Sequence, residues 1–338
     1  MNETFDALLV VSFGGPEGMA DVMPFLRNVL RGRNVPDERL REVAKHYELF
    51  NGVSPINEQN RNLISALQDE LRRHGPDLPI YWGNRNWKPY ISEALQQMKE
   101  DGIENALAFF TSAYSSYSGC RQYRENIEQA MLEVGSDVPR VQKLRVFYNH
   151  PGFIEPNVEA LNTALSAIPA SRRKAARIAF TAHSIPSSMS AGCDYLVQLQ
   201  ETCGLVSDAA DRDRWKLVFQ SRSGPPTQPW LGPDICDHLR ELHSEGVSDV
   251  VVAPVGFISD HLEVIYDLDT EAQQLASELG INMVRATTVG THPRFIQMVR
   301  ELVMERIDER RPKLSLGSRG PGHDICPVDC CSPSTARP

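Results

Sequence analysis

The sequence is short of positive charge. Its 35 Lys and Arg stand against 44 Asp and Glu, a formal net charge of −9. A face that binds nucleic acid is usually basic, so this balance argues against that class of partner. It agrees with the attraction of a cation. Long apolar runs are missing too: none approaches the roughly 18 residues that a membrane-spanning helix needs. The start, MNETFDALLVVSFGG, carries two acids and no basic stretch, which is unlike a secretory signal. A cytoplasmic protein with no transmembrane segment is expected. Cysteine is sparse in the body of the chain, where Cys120, Cys193, Cys203 and Cys236 are spread far apart. An odd total of seven makes no disulfide scaffold. The other three, Cys326, Cys330 and Cys331, crowd into six residues near the end and need their own explanation.

What is present reads as a soluble globular chain. Its 338 residues suit about two domains, and 41% are hydrophobic. Short apolar runs alternate with amphipathic ones. The strand candidates are DALLVVSF, PIYWGN, NALAFFTSA, QKLRVFY, RIAFTAHS, WKLVFQS, DVVVAPVGF and NMVRATT. Helical patterns such as NRNLISALQDELRRH lie between most of them. Strand then helix, repeated, predicts an α/β fold with parallel sheets covered on both faces. Eight strands suit one barrel or two open sheets. A weak internal echo favours two: LAFFTSAYSS resembles RIAFTAHSIPSS, and DALLVVSFGGPE resembles DVVVAPVGFISD. The expected units are 1–150 and 151–312. Residues 313–338, rich in Gly, Pro, Ser and charge, read as a tail.

Ligands of open parallel sheets sit beyond the carboxyl ends of the strands. The sequence there is polar, aromatic or glycine-rich. SFGGPEG after the first strand reads as a tight turn, or as a weak phosphate-loop signal without the spacing of one. The fifth strand ends on His183. A histidine there is either a satisfied structural residue or a working imidazole. After the seventh strand, Ser259 or Asp260 is a candidate N-cap. Glu263, Asp267 and Glu271 then stand at i, i+4 and i+8, on one face of the helix expected to follow. No Lys or Arg occurs from Glu241 through Val284, a stretch with nine Asp or Glu. Three carboxylates in one column repel unless a cation intervenes; the other reading is a solvated acidic face. Imidazole plus carboxylate suits a borderline divalent metal, and one of each suits a metal held briefly. Arg27, Arg31 and Arg33, with Lys45, His46, Tyr47 and Ser54 nearby, are either surface residues or holders of a large organic acid. Trp230 offers a flat apolar wall or a core residue.

SFGGPE, GVSPIN, YWGNRNW, TSAYSSYSGC, TAHSIP, QSRSGPPTQPWLGP and GFISDHLEVIYDLD occur in this order between about residue 5 and residue 310. This ordered set resembles the ferrochelatases, which insert Fe²⁺ into a porphyrin. The resemblance implies two flavodoxin-like (Rossmann-type) domains around a porphyrin cleft. It implies His183 and Glu263 as the metal-facing catalytic pair, and Ser54 and Tyr123 as porphyrin contacts. Arg31, His46, Tyr47 and Arg85 transfer by neighbourhood, with Phe13 and Trp230 as walls of the ring pocket. Asp267 and Glu271 match an acidic line that binds accessory metal in some members. Some members have Tyr where Phe13 stands, and a phenyl ring cannot ligate product iron. His183 is suited to accept pyrrole protons. The pattern implies the bacterial route through coproporphyrin III, with protoporphyrin IX as the alternative porphyrin. A haem or metal carrier and a redox-sensing cluster protein are the competing functions. Brief contact with neighbouring haem-pathway enzymes is expected.

Three tail thiols are one short of a [2Fe–2S] cluster. Some ferrochelatases take three ligands from the tail and one from the body, and Cys120 matches the internal position. The resemblance therefore implies Cys120, Cys326, Cys330 and Cys331 as ligands. Incidental thiols, or a zinc clip using His323, are the alternatives.

Overall fold

The computed structural model describes residues 4–32, 35–225 and 227–333. β1 (Ala7–Ser12), β2 (Ile80–Asn84), β3 (Asn105–Phe110) and β4 (Arg140–Lys143) form one sheet in the order β2-β1-β3-β4. β5 (Arg177–His183), β6 (Trp215–Gln220), β7 (Asp249–Ala253) and β8 (Asn282–Arg285) form a second in the order β6-β5-β7-β8. All pairings within them are parallel. The fold is α/β with two open sheets, not a barrel. β1, β3 and β7 are buried along their whole length, and β5 is buried from Ile178 to Ala182. Strands covered on both faces read as unbroken apolar runs. The edge strands β2, β4, β6 and β8 are less buried and correspondingly more polar.

Two expectations are corrected here. The fourth strand is Arg140–Lys143, not the apolar run QKLRVFY. Leu144 to Tyr148 are buried because they cross between the two halves, and only Leu144 continues the ladder, donating to the Ala108 carbonyl at 2.8 Å. The echo paired the wrong strands. The repeated strand order equates β1 with β5 and β3 with β7, so likeness between β3 and β5 reflects similar burial rather than equivalent position.

A single apolar core runs from β1 and β3 to β5 and β7. Phe109, Phe147, Phe153 and Phe295 pack ring to ring within it, Phe109 on Phe147 at 5.4 Å and Phe147 on Phe153 at 5.6 Å. The last helix, Pro293–Ile307, leans on both Pro151–Ser166 and Ile56–His74. Gly152 permits this approach, since a Cβ there would lie 2.6 Å from Met298 Cβ. Separate outer cores pack the helices against the far face of each sheet.

The segment after Pro312 forms a strap along the crossing chain. Arg145 is buried with Glu305, their side chains 1% and 3% exposed, in a two-bond pair at 2.7 and 2.9 Å. Arg145 also donates to the Leu314 carbonyl at 2.8 Å, and Asn149 to the carbonyls of Leu316 and Gly320. Buried cations need such saturation. Glu305→Ala would leave Arg145 charged and unpaired, so it is expected to cost about 3–5 kcal/mol. Denaturant unfolding checks this; a loss under about 1 kcal/mol would mean that the pair contributes little.

Candidate active site

The carboxyl ends of the strands converge as expected of an open sheet. β5 closes on His183. Gly256, at the exit of β7, crosses so near that a Cβ would lie 2.5 Å from Ala182 Cα. The strand end is fixed by its backbone: Tyr195 donates to the His183 carbonyl at 3.0 Å, and Ser184 Oγ to the Leu231 carbonyl at 2.7 Å. Pro186 bridges to Trp230, so the Trp230 loop is zipped to the His183 loop. His183 Nδ1 donates to the Ser184 carbonyl at 2.5 Å. A carbonyl only accepts, so Nδ1 holds a proton and Nε2 is the working atom. Nε2 faces Glu263 Oε2 at 3.5 Å.

Glu263 follows a clamp rather than a side-chain cap. Gln59 donates to the Asp260 carbonyl at 2.9 Å and accepts from its N–H at 2.8 Å. The Leu262 N–H reaches Ser54 Oγ at 3.4 Å. The Ser259 or Asp260 N-cap is therefore corrected: the N-cap is His261, without a side-chain hydrogen bond. Asp260 instead pairs with Arg285, as does Asp269. Arg285 is the first cation after the acidic stretch, and it folds back onto it. The regular helix is also corrected. Residues Ile265–Ala272 form a π-helix between two α-helical pieces. Such segments are frequent at functional sites. A second one, Tyr117–Arg121, follows β3 and carries Cys120.

His183 and Glu263 lie at the floor of a recess. Solvent reaches them, at 35% and 52% side-chain exposure, yet protein surrounds them closely. Burial opposes both charges, but each partner outweighs it. His183 is raised above its ordinary range, and Glu263 is held down at about 2. Each charge of the pair is thus favoured by the other before any metal arrives. Asp267 follows, pushed up to about 7 by burial and by Glu263 and Glu271, although Ser221 hydrogen-bonds to it. Gln220 donates to the same oxygen at 3.4 Å. Ser221 has φ of 61°, a strained value for a residue with a side chain.

The other expected residues are distributed around this line. Phe13, Tyr47 and Trp87 pack around Phe25, and Leu262 joins the same cluster. Burial and the Glu263 charge raise Tyr47. The Arg85 guanidinium lies 5.8 Å from the Phe13 ring centre and lowers Tyr123, which burial holds at about 12. Tyr123 is buried against Phe110 at 5.3 Å. His46 stacks on Tyr266 of the π-helix at 4.0 Å. Glu271 is exposed at the outer end of the column. Arg31 is exposed and bonded to Asn28 at 3.1 Å; no contact ties it to this group among the described residues. Arg33 lies outside the described residues. Sequence reasoning missed Gln59, Gln220, Ser221, His261 and Tyr266. Gln220 pairs with His183 across β5 and β6, a register that the sequence does not show.

The tail cysteines gather against the first sheet's helices. Cys330 Sγ lies 3.6 Å from Cys331 Sγ and 3.8 Å from His323 Nε2. Cys120 and Cys326 share a hydrogen bond; it and the Lys143 charge drive Cys326 toward thiolate, while the same bond and burial keep Cys120 protonated. Arg121 donates to the carbonyls of Val328 and Cys330, and Lys143 to that of His323. Four convergent thiols beside cations fit the thiolate requirement of an iron–sulfur group.

No helix among the described residues is long and apolar enough to cross a membrane. The sequence profile described as Ferrochelatase matches residues 5–307. A protein named ferrochelatase from Rhodopirellula baltica is 56% identical over 335 residues, covering 99% of this chain and 95% of that one. One named coproporphyrin III ferrochelatase from Streptomyces griseus is 50% identical over 356 residues, with the same shares covered. Among solved structures, the sirohydrochlorin chelatase SirB from Bacillus subtilis subspecies spizizenii in complex with cobalt is similar in fold. Its TM-score is 0.50 at 11% identity, over 91% of this chain and 97% of that one. SirB from Bacillus subtilis with Fe³⁺ gives 0.55 at 13%, over 90% and 96%. With its paired sheets, and with this profile and these relatives spanning nearly its whole length, the chain belongs to the ferrochelatase family of metal-inserting enzymes.

Proposed function

We propose that this chain inserts Fe²⁺ into coproporphyrin III, forming Fe-coproporphyrin III in haem biosynthesis. The observation that carries the reading is the His183–Glu263 pair at 3.5 Å, continued outward by Asp267. The substrate rests on relatives of that name at about half identity. Insertion must remove two pyrrole protons and strip water from the cation. Glu263 stays ionised across the neutral range and offers the metal an anionic oxygen in place of water. His183 accepts a pyrrole proton only in its neutral form, so its imidazolium proton must first leave to the solvent that reaches the pair, a loss that an approaching Fe²⁺ favours. Asp267, near neutrality, can pass protons or cations along the column. Phe13, Tyr47, Tyr123 and Trp230 would wall the ring, and Ser54, Arg31, His46 and Arg85 its polar edge. Phe13 has no lone pair, so this wall gives product iron no ligand there. A comparison of coproporphyrin III with protoporphyrin IX tests the substrate. The expected kcat/KM is higher for coproporphyrin III; a preference for protoporphyrin IX would overturn it.

The column is expected to grade steeply. Glu263→Gln should cut kcat about 100-fold or more, since the metal's first anionic oxygen is lost. Asp267→Asn should cost only a few-fold, with partial rescue by added metal, because the amide keeps its Ser221 partner. Steady-state kinetics over a range of Fe²⁺ decides; a larger kcat loss at Asp267 would reverse the polarity.

The pH dependence follows from the signs. Asp267 is raised, so it is neutral below about 7 and anionic above it. His183 is raised, so it gives up its proton at a higher pH than an ordinary imidazole does. Both changes favour metal uptake at higher pH. Thus kcat/KM for Fe²⁺ should rise as pH passes through about 7, and Asp267→Asn should flatten part of that rise. Anaerobic pH–rate profiles check it; a falling limb across this range would contradict the assignment.

The tail is read as holding a [2Fe–2S] cluster on Cys120, Cys326, Cys330 and Cys331. When bound, the cluster would supply a covalent clasp between tail and body and a one-electron centre. We place the protein in the cytoplasm, in brief contact with neighbouring haem-pathway enzymes. Residues 1–150, 151–312 and 313–338 are taken as two α/β units and a cysteine tail, with one sheet in each unit supporting that division.

A further inference from the structure

The tail holds one donor, His323, that a cluster on Cys120, Cys326, Cys330 and Cys331 leaves unused. His323 Nε2, Cys326 Sγ and Cys330 Sγ all lie within 4.8 Å of one another. Two thiolates on one tetrahedral zinc, each about 2.3 Å from it, are about 3.8 Å apart. The Cys330–His323 separation of 3.8 Å is already close to such an edge. An imidazole with two sulfurs is a donor set suited to borderline divalent metals. Three protein donors leave a fourth position for water, the pattern of an exchangeable site rather than a closed structural one.

The backbone that carries these donors is held before any metal arrives. The His323 carbonyl accepts from Lys143 at 3.4 Å, and Asp324 pairs with Lys313. At the other end, Arg121 holds the Val328 carbonyl at 3.1 Å and the Cys330 carbonyl at 3.3 Å. Ligand loops fixed in this way lose less freedom on binding. His323 is exposed, and Cys326 and Cys330 are half-buried, so an ion reaches the triangle from solvent. A disulfide does not explain the sulfurs: Cys330 and Cys331 stand 3.6 Å apart, against about 2.0 Å for a bond.

We propose that His323, Cys326 and Cys330 bind a single divalent transition-metal ion, Zn²⁺ or Fe²⁺, in place of the cluster. The two loads exclude each other because both use Cys326 and Cys330. They differ in their remaining ligands: His323 serves the single ion, whereas Cys120 serves only the cluster.

The test is a crossed one on full-length protein. Reduced, cluster-free protein is titrated anaerobically with Co²⁺, whose thiolate charge-transfer and tetrahedral d–d bands report this site and not the oxygen-rich active site. The wild type should take up one equivalent with both sets of bands. His323→Ala should weaken that binding at least tenfold, and Cys120→Ser, which removes only a hydrogen bond to Cys326, should change it by no more than a few-fold. Cluster iron and sulfide, assayed separately, should survive His323→Ala. An unchanged titration in His323→Ala, or absent thiolate bands in the wild type, overturns the proposal. Equal weakening by Cys120→Ser overturns it as well. Normal cobalt behaviour in a protein that never holds iron and sulfide supports this site and removes the cluster reading alone.

Discussion

His183→Ala is expected to lower iron insertion by about 10²- to 10⁴-fold while porphyrin binding changes by only a few-fold. The change removes Nε2, the atom that faces Glu263 at 3.5 Å. It also leaves Glu263 without the partner that holds it at about 2, so the carboxylate becomes harder to keep ionised in its recess. Porphyrin binding should persist because the proposed ring walls come from other elements: Phe13 after β1, Tyr123 on the helix Gln122–Val134, and Trp230 after β6. The strand end should also persist. Tyr195 holds the His183 carbonyl, a backbone atom that alanine retains. Insertion rate and porphyrin fluorescence quenching are measured on the same preparation, with a thermal melt as the folding control. More than about a tenth of wild-type kcat would remove His183 from the chemistry.

Cys120→Ser is expected to abolish the reddish-brown colour that the proposed cluster would give the purified protein, as fully as Cys330→Ser. Cys120 is the only proposed ligand outside the tail, and it sits buried on the π-turn after β3. A serine hydroxyl does not ionise near neutrality and is a poor substitute for thiolate. Iron and acid-labile sulfide should fall together. The strap itself should stay docked through Gly322, because Arg145 and Asn149 hold it independently of the cysteines. Full cluster content in Cys120→Ser would refute this ligand. The bet would then pass to Cys193, the body cysteine that stands in the electrostatic neighbourhood of Cys330 and Cys331.

Much of this was legible in the residues because central parallel strands cannot hide. VVVA and ALAFF are apolar throughout since both faces are covered. The fourth strand was misread for the same reason: LRVFY is buried by crossing the seam, and burial alone does not distinguish a ladder from a crossing. The charged residue inside that run was the clue, since Arg145 is where the strap is anchored. The acidic column was visible as i+4 spacing, but its π-helical winding was not, because sequence does not show which carbonyl each N–H selects. Gln220 and Ser221 read as the end of the strand candidate WKLVFQS and not as partners of Asp267. Their role depends on the β5–β6 register, which no single strand reveals. The tail's composition suggested a loose end. Backbone carbonyls of Leu314, Leu316 and Gly320 hold it, and carbonyls leave no mark in a sequence.

The most direct test of the account is the yield of metallated porphyrin per protein molecule. Protein is mixed anaerobically with excess coproporphyrin III and Fe²⁺, and product and released protons are counted over time. The account predicts many equivalents of Fe-coproporphyrin III, two protons released for each iron inserted, and loss of both in His183→Ala. A plateau at one equivalent per chain would contradict it and would make this protein a carrier.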